Sequence, residues 1–281
     1  MAAPTRDVLY YDESQRTPLT PYLPSQILSS SSSKPHVTLT FATSLDSSIA
    51  LAPGTQTHLS GPSSKAMTHF LRSCHSAILI GVGTALADNP SLNCRLSGVG
   101  GYGGSGLDNQ PRPIILDPSA RWGDLEGRKV IQLAREGKGK APIIFFRRDV
   151  WEERMGDEEF RERMKVLEEC GGGYYLVAPA KGEKFAWVDI LGGLKEVGIR
   201  SVMIEGGGAV INELLGPENF PLVDSVIITI APTWLGRGGV LVSPEERRTN
   251  GVQVPVGRLT DVKWVPLGED VVCCGRPNLN G

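Results

Sequence analysis

Neither charge sign dominates this chain: 29 lysines and arginines stand against 31 aspartates and glutamates, a formal net charge of −2. A chain so balanced has no positive field with which to hold nucleic acid or an anionic membrane surface. Long apolar runs are missing too. The longest, 77–87, is interrupted by Gly81, Gly83 and Thr84 and falls far short of the ~20 residues that span a bilayer. The opening MAAPTRDVLYYDES carries Asp7, Asp12 and Glu13 and no apolar core, so no leader or transit peptide is expected. Metal motifs are absent as well. Cys74, Cys94, Cys170, Cys273 and Cys274 never form C-x-x-C, and His36, His58, His69 and His75 form no ligand pair. A metal site and a disulfide framework are both unexpected, and the thiols read as reduced, in a cytosolic protein. Nor is there a G-x-x-x-x-G-K-[ST] loop, an H-E-x-x-H helix, a G-x-S-x-G elbow or the H-x-E and P-C-x-x-C pair of zinc deaminases, which removes those chemistries.

What the chain does have is glycine and proline, 34 and 20 residues, a share below the roughly 25–30 % that marks disorder. With 40 % apolar residues it can bury a core, as one large domain over 35–281. Residues 1–34 hold Pro4, Pro18, Pro21, Pro24 and the serine run 29–33, the composition of a flexible extension. Tyr10, Tyr11, Tyr22 and Leu23 nevertheless give it something to dock with.

From Pro35 the pattern becomes regular. VTLTFAT sets Val37, Leu39 and Phe41 against Thr38 and Thr40, the alternation of a strand. Met67, Phe70, Leu71 and Cys74 follow at i, i+3, i+4, i+7 in a helix over 62–74 opened by Pro62. Apolar runs at 77–82, 114–116, 143–146, 174–177, 201–204 and 225–230 read as buried strands. Helical patterns at 150–169, 187–197 and 209–215 lie among them. That alternation predicts an α/β fold, a mostly parallel central sheet flanked by helices. The stretch 261–274 has strand character with no helix after it, so antiparallel strands are expected to close one edge. SGVGGYGGSGLDNQ, 97–110, reads as a flexible connector. The doubly charged stretch 147–169 reads as a solvated surface helix.

Two glycine-rich turns each follow a buried strand: Gly81-Val82-Gly83-Thr84 and Gly206-Gly207-Gly208-Ala209. Glycine at a strand end lets a ligand approach the backbone, and free amides at the next helix start favour an anion such as a pyrophosphate. Neither turn is G-x-G-x-x-G, because Leu86 and Ile211 stand at the third glycine position. Together they suit the two walls of one dinucleotide cleft. Beyond the first turn, Asp88, Asn89, Asn93 and Arg95 gather a carboxylate, two amides and a guanidinium within eight residues. Arg95, with Arg72 on the preceding helix, offers bidentate grip on a phosphate.

In order along the chain, VTLTFATSLDSSIA, MTHFLRSCHSAILIGVGTALADNPSLNCRL, RPIILDP, RSVMIEGGGAVINELL and VDSVIITIAPTWLG resemble the reductases of riboflavin biosynthesis, in their stand-alone fungal and archaeal form. The resemblance covers roughly 35–275, and G-x-G-T-x-L-A-D-N-P-x-L-N-x-R is its most specific block. In the bacterial relative the same domain is fused to a zinc deaminase. The resemblance implies a dihydrofolate-reductase-like fold, NADPH as hydride donor, a ribosylaminopyrimidine 5′-phosphate as small-molecule substrate, and a homodimer. It places Thr84, Asp88, Gly206, Gly207, Gly208, Ala209 and, at a wall position, Val177 on the cofactor. Arg72, Asn89, Leu92, Arg95 and Glu205 fall to the substrate, with both arginines on the ribose 5′-phosphate. Asp46 matches a strand-end acid of the family. Ser47 and His58 depart from the bacterial pattern, which has Gly and Trp there.

The reaction so implied opens a ribosylamine to an imine and delivers hydride to C1′. The coenzyme carries the hard step, and the protein aligns two molecules and excludes water. An acid near C1′ would assist ring opening; Asp46 and Glu205 are the candidates, each reading equally as a strand-end hydrogen-bond anchor. For the 2′-phosphate of NADPH, Ser119, Arg121, Arg147 and Arg148 are candidates. Two alternatives stay open: a related reductase of another pterin or pyrimidine, and a non-catalytic dinucleotide-binding protein.

Overall fold

The computed structural model describes residues 8–25, 32–178 and 185–278. Nine strands form one sheet. From edge to edge they run Arg258–Leu267, Asp270–Asn278, Ser225–Ile230, His36–Thr43, Ser201–Ile204, Ala77–Gly81, Arg112–Leu116, Ile143–Arg147 and Gly173–Val177. The seven strands from Ser225–Ile230 to Gly173–Val177 pair in parallel. The hairpin 258–278 closes one edge antiparallel. This is the expected fold class.

The strands are apolar throughout because both sheet faces are covered. Leu79, Ile114, Phe145 and Ile204 point to one face and pack on the helices Trp187–Glu196 and Gly208–Leu215. Their neighbours Ile78, Ile80, Ile115 and Ile144 point to the other. There they meet Val130 and Ile131 of Lys129–Arg135 and Phe160 and Leu167 of Glu158–Glu169. Helix Pro62–Ser73 covers the rest of that face with Met67 and Leu71. No described helix is long and apolar enough to cross a membrane.

Chain order makes a topological switch point. From His36–Thr43 the chain winds outward through four strands to Gly173–Val177, then returns to insert Ser201–Ile204 between the first two. It next crosses to Ser225–Ile230 on the far side of His36–Thr43. Winding reverses at the carboxyl ends of these central strands, where open α/β sheets take their ligands.

Four expectations need revision. The flexible extension over 1–34 does not describe residues 8–25, which lie on the fold: Tyr11, Leu19 and Tyr22 are buried against Phe70, Met67 and Cys274. The docking residues won. The remainder of that extension, 1–7 and 26–31, lies outside the described residues. The connector 97–110 is a tight, ordered loop with Val99 and Tyr102 buried. Its glycines serve close approach; a Cβ at Gly100 would lie 2.5 Å from the amide of Asp108. The charged stretch splits into Arg148–Arg154 and Glu158–Glu169, because Asp157 caps the second helix through the amides of Glu159 and Phe160. Finally, the first glycine turn is itself a helix, Val82–Asp88.

Leu19 is fully buried, so Leu19→Ala is expected to destabilise the protein by about 2–5 kcal/mol. A denaturant midpoint left unchanged would mean that the arm is not part of the folded unit.

Candidate functional site

Strands Ala77–Gly81 and Ser201–Ile204 are neighbours, with Leu79 opposite Ile204, and the amide of Glu205 donates to the Leu79 carbonyl at 3.0 Å. Each strand leads into a helix, the first directly into Val82–Asp88 and the second through Glu205-Gly206-Gly207 into Gly208–Leu215. The N-caps are Gly81 and Gly207, and neither helix has a side-chain cap among the described residues. A side chain would be crowded at both positions. A Cβ on Gly207 would lie 2.7 Å from Thr84 Oγ1, and one on Gly81 would lie 3.3 Å from Val210 Cγ2. The two turns that stand over 120 residues apart in sequence therefore touch. Their helix starts bring unsatisfied amides and the positive ends of two dipoles to one place, which suits a pyrophosphate.

The triple glycine is braced from its other side. A Cβ on Gly208 would meet Val240 Cγ1 at 2.5 Å. Val240–Leu241 pairs with Ser48–Ala50. Asn212, on the helix that follows the glycines, donates to the Leu241 carbonyl and accepts from the Ser243 amide.

Both candidate acids are engaged. Glu205 forms a two-pronged ion pair with Arg72, Nε to Oε1 at 2.9 Å and Nη2 to Oε2 at 2.7 Å. The remaining Arg72 prong donates to the Asn93 carbonyl at 3.1 Å. Burial works against the Arg72 charge, but the Glu205 carboxylate more than reverses it and holds the guanidinium protonated. Asp46 accepts from the Ser44 hydroxyl and from the amides of Leu235 and Gly236, the last at 2.8 Å. The Ser44 bond, followed by the two amides, holds its carboxyl below the usual carboxylate range. Asp46 thus ties the strand end 43–46 to the loop after Ser225–Ile230, the anchor reading of that residue.

The remaining candidates divide. Thr84 and Asp88 sit four residues apart on one helix, and so share a face. Asp88 is half-buried, which raises its pKa, against the lowering influence of His58 and Lys129. Asn89 turns in the left-handed region and caps the next helix, its Oδ1 accepting from the Lys129 amide at 3.0 Å. Leu92 and Arg95 are buried beside the Arg72 carbonyl contact at Asn93. The Arg95 amide donates to His69 Nδ1 at 3.0 Å. Val177 ends the outermost strand and is packed in the core with Trp187, four strands away from the triple glycine. Sequence reasoning missed His69, read only as one of four histidines that form no ligand pair; its partner lies 26 positions on and nothing local marks it.

Two glycine-led helix starts at the reversal point of a doubly wound sheet are the arrangement by which α/β domains hold a dinucleotide. Comparison with known proteins names the family. The chain belongs to the RibD C-terminal domain family, which matches residues 35–273. It is 38 % identical over 260 residues to the Debaryomyces hansenii 2,5-diamino-6-ribosylamino-4(3H)-pyrimidinone 5′-phosphate reductase, covering 92 % of this chain and 96 % of that one. The Eremothecium gossypii protein of the same name is 40 % identical over 259 residues, 92 % and 94 % of the two chains. Among solved structures, the Saccharomyces riboflavin biosynthesis reductase Rib7 superposes with a TM-score of 0.70 at 34 % identity, over 94 % of this chain and all of that one. Acinetobacter baumannii RibD, at 24 % identity and a TM-score of 0.65, shares the fold over 88 % of this chain and 59 % of its own.

Two outcomes follow from this geometry. Gly207→Ala crowds Thr84 Oγ1, and is expected to fold while weakening dinucleotide binding roughly tenfold, about 1.4 kcal/mol, in a calorimetric titration. Unaltered affinity in the folded variant would remove the triple glycine from the site. Asp46 has a depressed pKa, so its contribution is present above the unfolded value of about 3.9 and is lost as pH falls through the lower folded one. The fluorescence of exposed Trp234, on the anchored loop, should stay flat down to about pH 4 and change below it. In Asp46→Asn that acid transition should disappear.

Proposed function

We propose that this protein is an NADPH-dependent reductase that converts 2,5-diamino-6-ribosylamino-4(3H)-pyrimidinone 5′-phosphate to its ribitylamino product, an early step of riboflavin biosynthesis. One observation carries the reading: Thr84 and Gly207 meet, which supports assigning the two turns to the walls of one dinucleotide cleft. The named relatives supply the substrate class. The reading also carries a homodimer working in a reducing compartment, in keeping with five free cysteines.

The residues fit a nicotinamide dinucleotide, because among the described residues both helix starts lack side-chain caps and the glycines let the two turns lie against each other. When bound, that coenzyme supplies hydride to C1′ of the opened sugar. The chain's own part is placement. Amides at 208–210 hold the pyrophosphate, with Thr84 and Asp88 along the neighbouring helix. Arg72 fixes Glu205 at the strand end, where the carboxylate serves as a hydrogen-bond acceptor toward the ribosylamino group. Arg95 takes the 5′-phosphate. Asp46 keeps its proton off and holds the loop 232–239 beside the cleft.

Of the four candidates for the 2′-phosphate, the geometry favours Arg121. Arg147 is engaged by both carboxylate oxygens of Asp149. Leu116 pairs with Gly81, so the following loop leaves the sheet beside helix Val82–Asp88. Buried Asp117 shapes that loop by accepting from the amides of Arg121 and Trp122 at 3.0 and 2.8 Å. Trp122 is locked in the core, while Arg121 is exposed and has no side-chain partner among the described residues.

Loss of nicotinamide absorbance on mixing protein, NADPH and the pyrimidine phosphate tests the assignment, run beside the deaminated pyrimidine. Turnover of a phosphate-free pterin in their place would support the related-reductase reading, and tight NADPH binding without turnover a scaffold. Charge-assisted bonds of about 1.5–3 kcal/mol are at stake in the 2′-phosphate. Arg121→Ala should therefore raise the KM for NADPH roughly 10- to 100-fold and leave NADH unaffected, whereas Arg147→Ala should change neither. Equal effects of Arg121→Ala on both coenzymes would overturn the 2′-phosphate role.

A further inference from the structure

We propose that residues 9–16 form a strap that positions Arg95 and Arg72, the substrate side of the cleft, from behind. The inference rests on the reading of Arg95 as the phosphate-binding residue, and goes beyond it by giving the N-terminal arm a task in substrate affinity.

Leu9 brackets Leu96 as in parallel strand pairing. Its amide donates to the Arg95 carbonyl at 2.9 Å, and its carbonyl accepts from the Ser97 amide, also at 2.9 Å. The Arg95 amide is held by His69 on the helix Pro62–Ser73. Both backbone groups of Arg95 are thus fixed, one by that helix and the other by the arm. Two residues further along the arm, Tyr11 is buried and stacks on Phe70 with ring centroids 5.4 Å apart. Phe70 lies on the same helix, between His69 and Arg72. The Arg16 guanidinium sits 5.3 Å over the Phe70 ring and donates back to the Tyr11 carbonyl at 2.8 Å. The Tyr11 hydroxyl closes the turn by donating to the Gln15 carbonyl at 3.0 Å.

The strap therefore grips two elements at once: the segment that carries Arg95 and the helix that carries Arg72. Two planar guanidinium groups recognise phosphate and carboxylate by geometry, so a backbone shift of an ångström at either one is felt as lost affinity. Among the described residues, the strap's hydrogen bonds and ring contacts run to the segment 95–97 and helix Pro62–Ser73 and not to the two glycine turns. An arm fixed this way sets substrate binding and leaves coenzyme binding alone.

The test compares Leu9→Pro, which deletes the donated amide, with Leu167→Ala, a core variant on the far helix Glu158–Glu169. Steady-state KM for the pyrimidine phosphate, kcat, NADPH Kd and Tm are measured for each. Loss of one positioning bond should raise the substrate KM about five- to tenfold in Leu9→Pro, with kcat and NADPH Kd held. Leu167→Ala should lower Tm with KM unmoved. Tyr11→Leu keeps apolar bulk, loses the stack, and should raise KM in the same direction if Leu9→Pro fails to fold. An unchanged KM in a folded strap variant, or an equal rise in Leu167→Ala, overturns the strap. Arg95→Ala separates the two levels. A raised KM there with a normal KM in the strap variants defeats the strap alone, and a normal KM in Arg95→Ala defeats the phosphate reading and the strap with it.

Discussion

Two helix starts of like partial charge stand side by side at the centre of this molecule. Each carries roughly half a positive charge and a set of amides with no intrahelical acceptor. Among the described residues, Gly81 and Gly207 leave both helices without a side-chain cap. Such an arrangement is unfavourable by itself and favourable once an anion lies between the two. It also dictates topology. The strand Ser201–Ile204 must return after the outer strands are laid down and slot in beside Ala77–Gly81, since no other neighbour would bring Gly207 against Thr84. The reversal of winding and the crowding between the two glycine turns are consequences of that one insertion.

How much of this was legible follows from what kind of signal each element carries. The parallel strands were readable because apolar runs such as Ala-Ile-Leu-Ile are buried on both faces and depend on no distant residue for their character. The helix Val82–Asp88 was hidden by its own glycines. Gly83 sits in the first turn, where its cost is small, and Ala85, Leu86 and Ala87 are strong helix formers that outweigh it. The loop 97–110 was misjudged for the opposite reason: Gly98, Gly101 and Gly103 adopt positive φ, a conformational need that composition cannot tell apart from looseness. The arm carried both signals, prolines against tyrosines, and burial of Tyr11 and Tyr22 decided between them.

The candidate site was legible in its backbone and illegible in its pairings. Glycines next to strand ends announce themselves within a few residues. The partners of Arg72 and Asp46 lie 133 and 189 to 190 positions away, and no local pattern encodes them. A guanidinium read as waiting for a phosphate has been claimed instead by Glu205 and the Asn93 carbonyl. The consequence is chemical, because an arginine so occupied organises the site before any ligand arrives.

That occupation bears on how the reaction is shared. An acid that must release a proton near C1′ needs a raised pKa, and the Asp46 carboxyl is pulled the other way by three donors. Glu205 meets a guanidinium through both oxygens, so both are already engaged as acceptors. The two carboxylates are built as acceptors. With hydride coming from a coenzyme, a site of this kind gains most from alignment and exclusion of water, which rigid acceptors and fixed strand ends provide. Asp88, on the helix face it shares with Thr84, is set differently from Asp46: burial pushes its carboxyl up, against the lowering influence of His58 and Lys129.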